Sequence, residues 1–83
     1  MGSPARWWRA RRARRRWIEE ALVAAALRER PDLSGWPLME RTGLRGAGIY
    51  AVLARMESDG RVTSRWADGP YPRRRLYRLA DPS

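Results

Sequence analysis

The sequence predicts a mainly α-helical domain closed by a small β-hairpin, three helices followed by two strands. Three observations carry this expectation. Ile49, Val52, Leu53 and Met56 recur at i, i+3, i+4 and i+7. From Arg61 onward the apolar period changes from helical to two. Pro31, Gly43, Gly60 and the cluster Asp68-Gly69-Pro70-Tyr71-Pro72 punctuate the chain at the intervals this division needs. A chain of 83 residues has material for one small core and hence one domain.

The first helix is expected from Ser3 to Arg30. Ser3 reads as its N-cap, Pro4 stands at the first helical position, where its missing N–H costs little, and no breaker follows until Pro31. Residues 1–16 read as an arginine- and tryptophan-rich arm or an extension of this helix, and residues 17–80 as the folded domain. Ile18, Leu22, Ala25 and Ala26 form a stripe at helical spacing, with Val23 and Leu27 round the side. More than half the circumference is then apolar, so the helix wants neighbours on two sides.

A second, short helix is expected from Ser34 as N-cap to about Arg41, with Pro37 confined to its first turn and Gly43 as its stop. Leu44 to Gly48 reads as a glycine-rich turn before a third helix that opens at Ile49 and ends at Asp59-Gly60. Val62, Ser64 and Trp66 share one face of a first strand, and Tyr77 and Leu79 return on a second. Two short helices joined by a turn containing glycine form a helix-turn-helix, whose second helix enters the DNA major groove. A basic hairpin directly after that helix makes the unit winged.

Charge points the same way. Eighteen arginines against nine acids give a net charge of +9 and a pI near 11.6, the signature of a polyanion binder. Seven of those arginines lie in residues 1–16 without an acid, and residues 17–83 hold eleven against nine, a balance of +2. All are arginine and none lysine; a GC-rich coding sequence is one reading of that choice, and the fit of the forked guanidinium to phosphate and guanine edges is the other. The chain has neither cysteine nor histidine, which removes disulfides, Cys/His zinc sites, thiol nucleophiles and a histidine base. The acids show no metal-ligand spacing. The protein is therefore expected to be no enzyme and to need no cofactor. With no long apolar run and no leader-like segment it is expected in the cytoplasm, at the nucleoid, with no membrane partner.

The stretch Ile49-Tyr50-Ala51-Val52-Leu53-Ala54-Arg55-Met56-Glu57-Ser58-Asp59-Gly60-Arg61-Val62, then Ser64-Arg65-Trp66 and Arg73-Arg74-Arg75-Leu76-Tyr77-Arg78-Leu79, resembles the PadR-like transcriptional regulators. In that family an aliphatic-Tyr pair opens the recognition helix, Leu-x-x-Leu-Glu-x-x-Gly closes it, and an arginine-rich segment before Tyr-x-Leu forms the second wing strand. Ser34-Gly35-Trp36-Pro37-Leu38 is similar to the start of the family's second helix. The resemblance spans roughly residues 20–80 and implies a transcriptional regulator or repressor. Two features depart from it: Arg45-Gly46 replaces the usual polar N-cap, and only Ala80 to Ser83 follow the last strand, where the family has a long dimerisation helix. A small-molecule effector, often bound in that family at the dimer interface, is accordingly not expected.

The candidate recognition residues are Arg45, Gly46, Ala47, Gly48 and Tyr50, off the core stripe at the start of the third helix, where side chains reach base edges and flanking phosphates. Tyr50 has the alternative of covering the edge of the core, and Gly46 and Gly48 that of serving the turn alone. Arg65 on the first wing strand and Arg73, Arg74 and Arg75 on the second are candidates for backbone and minor-groove contact, against the alternative of a solvated edge. Arg55 is expected to pair with Asp59 at i+4. Trp36, Trp66, Tyr77 and Leu79 are expected to pack into or onto the core. In the arm, Arg6, Arg9, Arg11, Arg12, Arg14, Arg15 and Arg16 are candidates for DNA-backbone contact; an anionic membrane or disorder until binding are the other readings. Trp7 and Trp8 suggest packing against protein, including a second subunit. The expected partners are double-stranded DNA and a second copy, as a homodimer or cooperative oligomer on DNA. The alternative to a regulator is an architectural or recombination protein, excisionase-like or nucleoid-associated, that binds cooperatively and bends DNA.

Overall fold

A computed structural model describes residues 4–81; Ser3, the expected first N-cap, lies outside the described residues. The elements are α1 (Pro4–Glu29), α2 (Gly35–Thr42), α3 (Ala47–Ser58), β1 (Val62–Trp66) and β2 (Arg75–Leu79), in the order the sequence predicts. Three helices with one antiparallel hairpin form a winged-helix-like α+β fold.

Leucine, isoleucine, valine and methionine from every element meet in one core. Val23, Ala26 and Leu27 of α1 pack on Leu38 of α2 and on Ile49, Val52, Leu53 and Met56 of α3, with Leu33, Val62 and Tyr77 closing the wing side. Burying a large apolar side chain of this kind stabilises the fold by about 1.5–3 kcal/mol. All four residues of the α3 stripe are buried. The α1 stripe is different: Ala26 is buried, but Ile18, Leu22 and Ala25 face solvent, and the core face is centred on Val23 and Leu27. Because α1 is apolar on two sides, its spacing alone does not say which side meets α2 and α3. Glu20 marks the covered side, reaching Arg55 of α3 at 3.6 Å and Arg61 at 3.4 Å. Arg55 is thus paired with Glu20 and not with Asp59, because an ion pair across helices is available to it.

Gly43 stops α2 as expected. It adopts a left-handed φ of 76°, and its N–H donates to the Met39 carbonyl at 2.8 Å. The connection to α3 is only Gly43–Gly46, since α3 begins at Ala47, two positions before Ile49. Ala47 and Gly48 are helical, and Gly46 makes the turn at φ 56°, a conformation that disfavours any side chain.

In the hairpin Val62 pairs with Leu79, Ser64 with Tyr77 and Trp66 with Arg75. The wing is stitched to the body at its root. Leu33, in the α1–α2 connection, bridges Tyr77 through two backbone hydrogen bonds of 3.2 and 2.9 Å. Tyr77 is buried and Leu79 partly so, as expected, but Trp66 is 57% exposed and Trp36 66% exposed. Both were expected inside. The body holds the hairpin as far as the Ser64–Tyr77 pair, so Trp66, paired with Arg75 two residues further out, stands beyond the reach of the core, and Trp36 points outward from the first turn of α2.

Candidate nucleic-acid interface

At the start of α3, Arg45, Gly46, Ala47, Gly48 and Tyr50 are all exposed while Ile49 among them is buried. One anchored residue thus holds five others outward. A Cβ added to Gly48 would meet nothing within 4 Å, and its φ is not positive, so neither the turn nor internal packing calls for glycine there. Gly35 is the opposite case. A Cβ there would collide with the Tyr50 hydroxyl, so the absent side chain is what lets Tyr50 lie across the first turn of α2.

That approach helps form a hollow of about 630 Å³. Residues 34–37 make one wall and Tyr50 another; the wing supplies Trp66 and Arg73–Arg75, and Tyr77 lies beneath. The beginning of α2, the beginning of α3 and the wing therefore form one continuous basic and aromatic surface. Of the residues the sequence singles out, Tyr50 and Arg73–Arg75 line this hollow, whereas Arg45 and Gly46 border a separate depression with Trp36, Met39 and Glu40; Ser34, Gly35, Trp36 and Trp66 are lining residues that sequence reasoning missed. The signal available was a tryptophan beside a helix-starting Ser-Gly pair, a position that faces outward when Leu38 faces inward.

The wing arginines divide into two groups. Arg75 lies at the start of β2, donates through Nε to Ser64 Oγ at 2.9 Å, approaches Glu57 at 3.5 Å and covers the Trp66 ring at 5.5 Å. Ser64 in turn donates to Glu57, tying the wing to the end of α3. Arg65 is paired with Asp32 at 3.7 Å, and Arg78 holds the same carboxylate through two hydrogen bonds of 2.9 and 2.6 Å. Those hydrogen bonds, with the charges of Arg78 and Arg65, hold the Asp32 carboxyl below its ordinary value. Burial pushes the Tyr77 hydroxyl in the other direction, above its own. Arg73 and Arg74 precede β2, whereas the expectation placed them on the strand; there they are exposed at the hairpin tip. Together with Arg45 they have no acidic partner among the described residues.

The arm is helical from Pro4 and continuous with the rest of α1. Arg6, Arg9, Arg11, Arg12, Arg14, Arg15 and Arg16 are exposed along it; Arg15 reaches Glu19 at 3.4 Å and Arg11 covers the Trp7 ring at 5.1 Å. Trp7 and Trp8 meet edge to face at 5.2 Å and are otherwise largely exposed. Among the described residues no group of three or more acidic, His or Cys side chains could hold a metal ion, and no helix is long and apolar enough to cross a membrane.

This geometry defines a winged-helix-like domain whose second and third helices and wing present a common basic face. A solved structure is similar over 96% of this chain and 69% of its own, at 27% identity and a TM-score of 0.59. It is described as a conserved protein of unknown function and a potential transcriptional factor. No protein-family profile and no curated protein matches the chain.

Proposed function

We propose that this protein is a sequence-specific binder of double-stranded DNA that acts as a transcriptional regulator, most simply a repressor that occupies its operator. The observation that carries the reading is the shared hollow, in which Tyr50 of α3 and the wing arginines face one another across the start of α2. The start of α3 enters the major groove, where Arg45 reads a guanine edge and Tyr50 contacts base or backbone. Gly46, Ala47 and Gly48 let the helix approach a phosphate closely. Arg73 and Arg74 lie on the flanking backbone or in the minor groove, with Arg65 and Arg75 positioning the wing. The arginines of residues 1–16 form an arm on residues 17–80 and add contacts to phosphate that carry no sequence information.

The net charge, the PadR-like residues of α3 and wing, and a structural neighbour described as a potential transcriptional factor support this reading. Selection of bound duplexes from a random pool, followed by footprinting on the winner, tests it. One or two protected half-sites are expected. A long protected array with a measurable bend would instead favour the architectural role, and failure to enrich any sequence would overturn sequence-specific recognition.

A further inference from the structure

The hollow beside the wing gathers chemistry that an intact duplex leaves unused. Four of the chain's eight aromatic residues line it, Trp36, Tyr50, Trp66 and Tyr77, and among the described residues no acid does. Its volume, about 630 Å³, falls within the roughly 300–1,000 Å³ of sites that hold small molecules and cofactors. Three of the four rings are fixed by their neighbours. Tyr50 is set by its approach to Gly35, Tyr77 by the bridge to Leu33, and Trp66 by the guanidinium of Arg75, itself held by Ser64 and Glu57. Trp36 is different: it is mostly exposed, and among the described residues neither a ring nor a cation stands against its indole. A large uncovered ring on a basic surface marks a place where a partner sits.

We infer that the hollow takes one unpaired nucleobase of a DNA strand, with its ring stacked on Trp36 and the phosphates beside it on Arg73 and Arg74. A base inside a duplex shows only its edge in either groove, because the neighbouring pairs cover its faces. The face of the Trp36 indole therefore finds a stacking partner only in a base that has left the stack. Charge agrees with this assignment. Arg75 is already engaged by Glu57 and the Trp66 ring, whereas Arg73 and Arg74 have no acidic partner among the described residues and can hold the phosphates of the strand. Position agrees as well. Trp36 borders both the hollow and the depression containing Arg45, so a base stacked on it lies where the start of α3 and the wing meet. Recognition of this kind rests on the reading that this face meets DNA, and adds to it a preference for a strand that carries a base outside the stack.

The test measures binding of the full chain by fluorescence anisotropy to three forms of one duplex: intact, with one extra unpaired thymine, and with one extra abasic residue at the same place. The two bulged forms share an interrupted backbone and differ in the base, so the ratio of their affinities reads stacking apart from bending. That ratio is expected to favour thymine by about 5- to 150-fold, the worth of one base on an aromatic ring. Trp36→Ala is expected to bring it near one, and Trp36→Tyr, which keeps a ring, to retain most of it. An oligothymidine strand measured alongside names the source of the base: binding tighter than to the thymine bulge assigns the hollow to single strands, and weaker binding assigns it to distorted duplex. A ratio of one in the wild type, or a ratio that Trp36→Ala leaves unchanged, would overturn the inference, and with intact duplex still bound selectively it leaves the DNA-binding proposal standing. Loss of selectivity among intact duplexes, with the thymine preference kept, would sink that proposal and leave this one.

Discussion

The unequal engagement of the wing arginines leads to an asymmetric expectation for their removal. Arg73 and Arg74 have no acidic partner among the described residues and stand at the hairpin tip, while Arg75 is held by Ser64, Glu57 and the face of Trp66. If each of the first two neutralises one phosphate, replacing both by alanine lowers the slope of log K against log salt by about 1.8, at about 0.9 per contact. Raising salt fourfold, from about 50 to about 200 mM, then narrows the affinity gap between wild type and variant roughly 12-fold, since 4 raised to 1.8 is about 12. Arg75→Ala is expected to change the slope less and to loosen the wing instead. The assay is fluorescence anisotropy on a labelled duplex across a salt series. An unchanged slope in Arg73→Ala/Arg74→Ala, or a larger loss in Arg75→Ala, would refute the division of roles.

Three further outcomes are expected. Arg45→Ala or Tyr50→Ala should lower discrimination between operator and scrambled duplex by about 1–3 kcal/mol without moving the thermal midpoint, and an equal loss on both duplexes would assign Arg45 to phosphate alone. Leu53→Ala, which empties a site only 1% exposed at the centre of the core, should cost about 2–5 kcal/mol by chemical denaturation; a loss under about 1 kcal/mol would mean that the core collapses round the gap. Asp32 is held below its ordinary value of 3.8 first by its hydrogen bond from Arg78. The depressed pKa means that its contribution to stability is full above that ordinary value and is lost as pH falls through the lower folded value. Stability measured below about pH 4 should therefore decline less steeply in Asp32→Asn than in wild type, and parallel acid-unfolding curves would remove the Asp32–Arg78 pair from the account.

Residues whose local chemistry had a single solution were legible in the sequence. Gly43 fits a helix stop because few other residues tolerate its left-handed conformation, and the α3 stripe has one apolar face and so one orientation. Where the chain offered two solutions, the choice was made by tertiary contacts. α1 has two apolar faces, and Leu38 and Leu53 select the one bearing Val23 and Leu27. Arg55 had Asp59 within a turn, but Glu20 on another helix took it. Trp66 alternates correctly with Val62, yet a period of two does not say how far along a strand the core extends. The recognition residues were read from their position off the stripe, whereas the hollow that Tyr50 shares with Trp36 and Trp66 brings together side chains 14 and 16 positions from it along the chain, which no local pattern records.

The bridge between Leu33 and Tyr77, reinforced by Asp32 and Arg78, turns the hairpin into a cantilever. Its clamped end moves with the α1–α2 connection, and its compliance is confined to the overhang from Trp66 through the tip to Arg75. Grooves of different width would then be accommodated by flexing of the tip, at small elastic cost, while the angle between wing and α3 stays constant. A load applied at the tip is delivered to the clamp, and from there to the end of α1, so that whatever grips the wing also pulls on the longest helix of the fold.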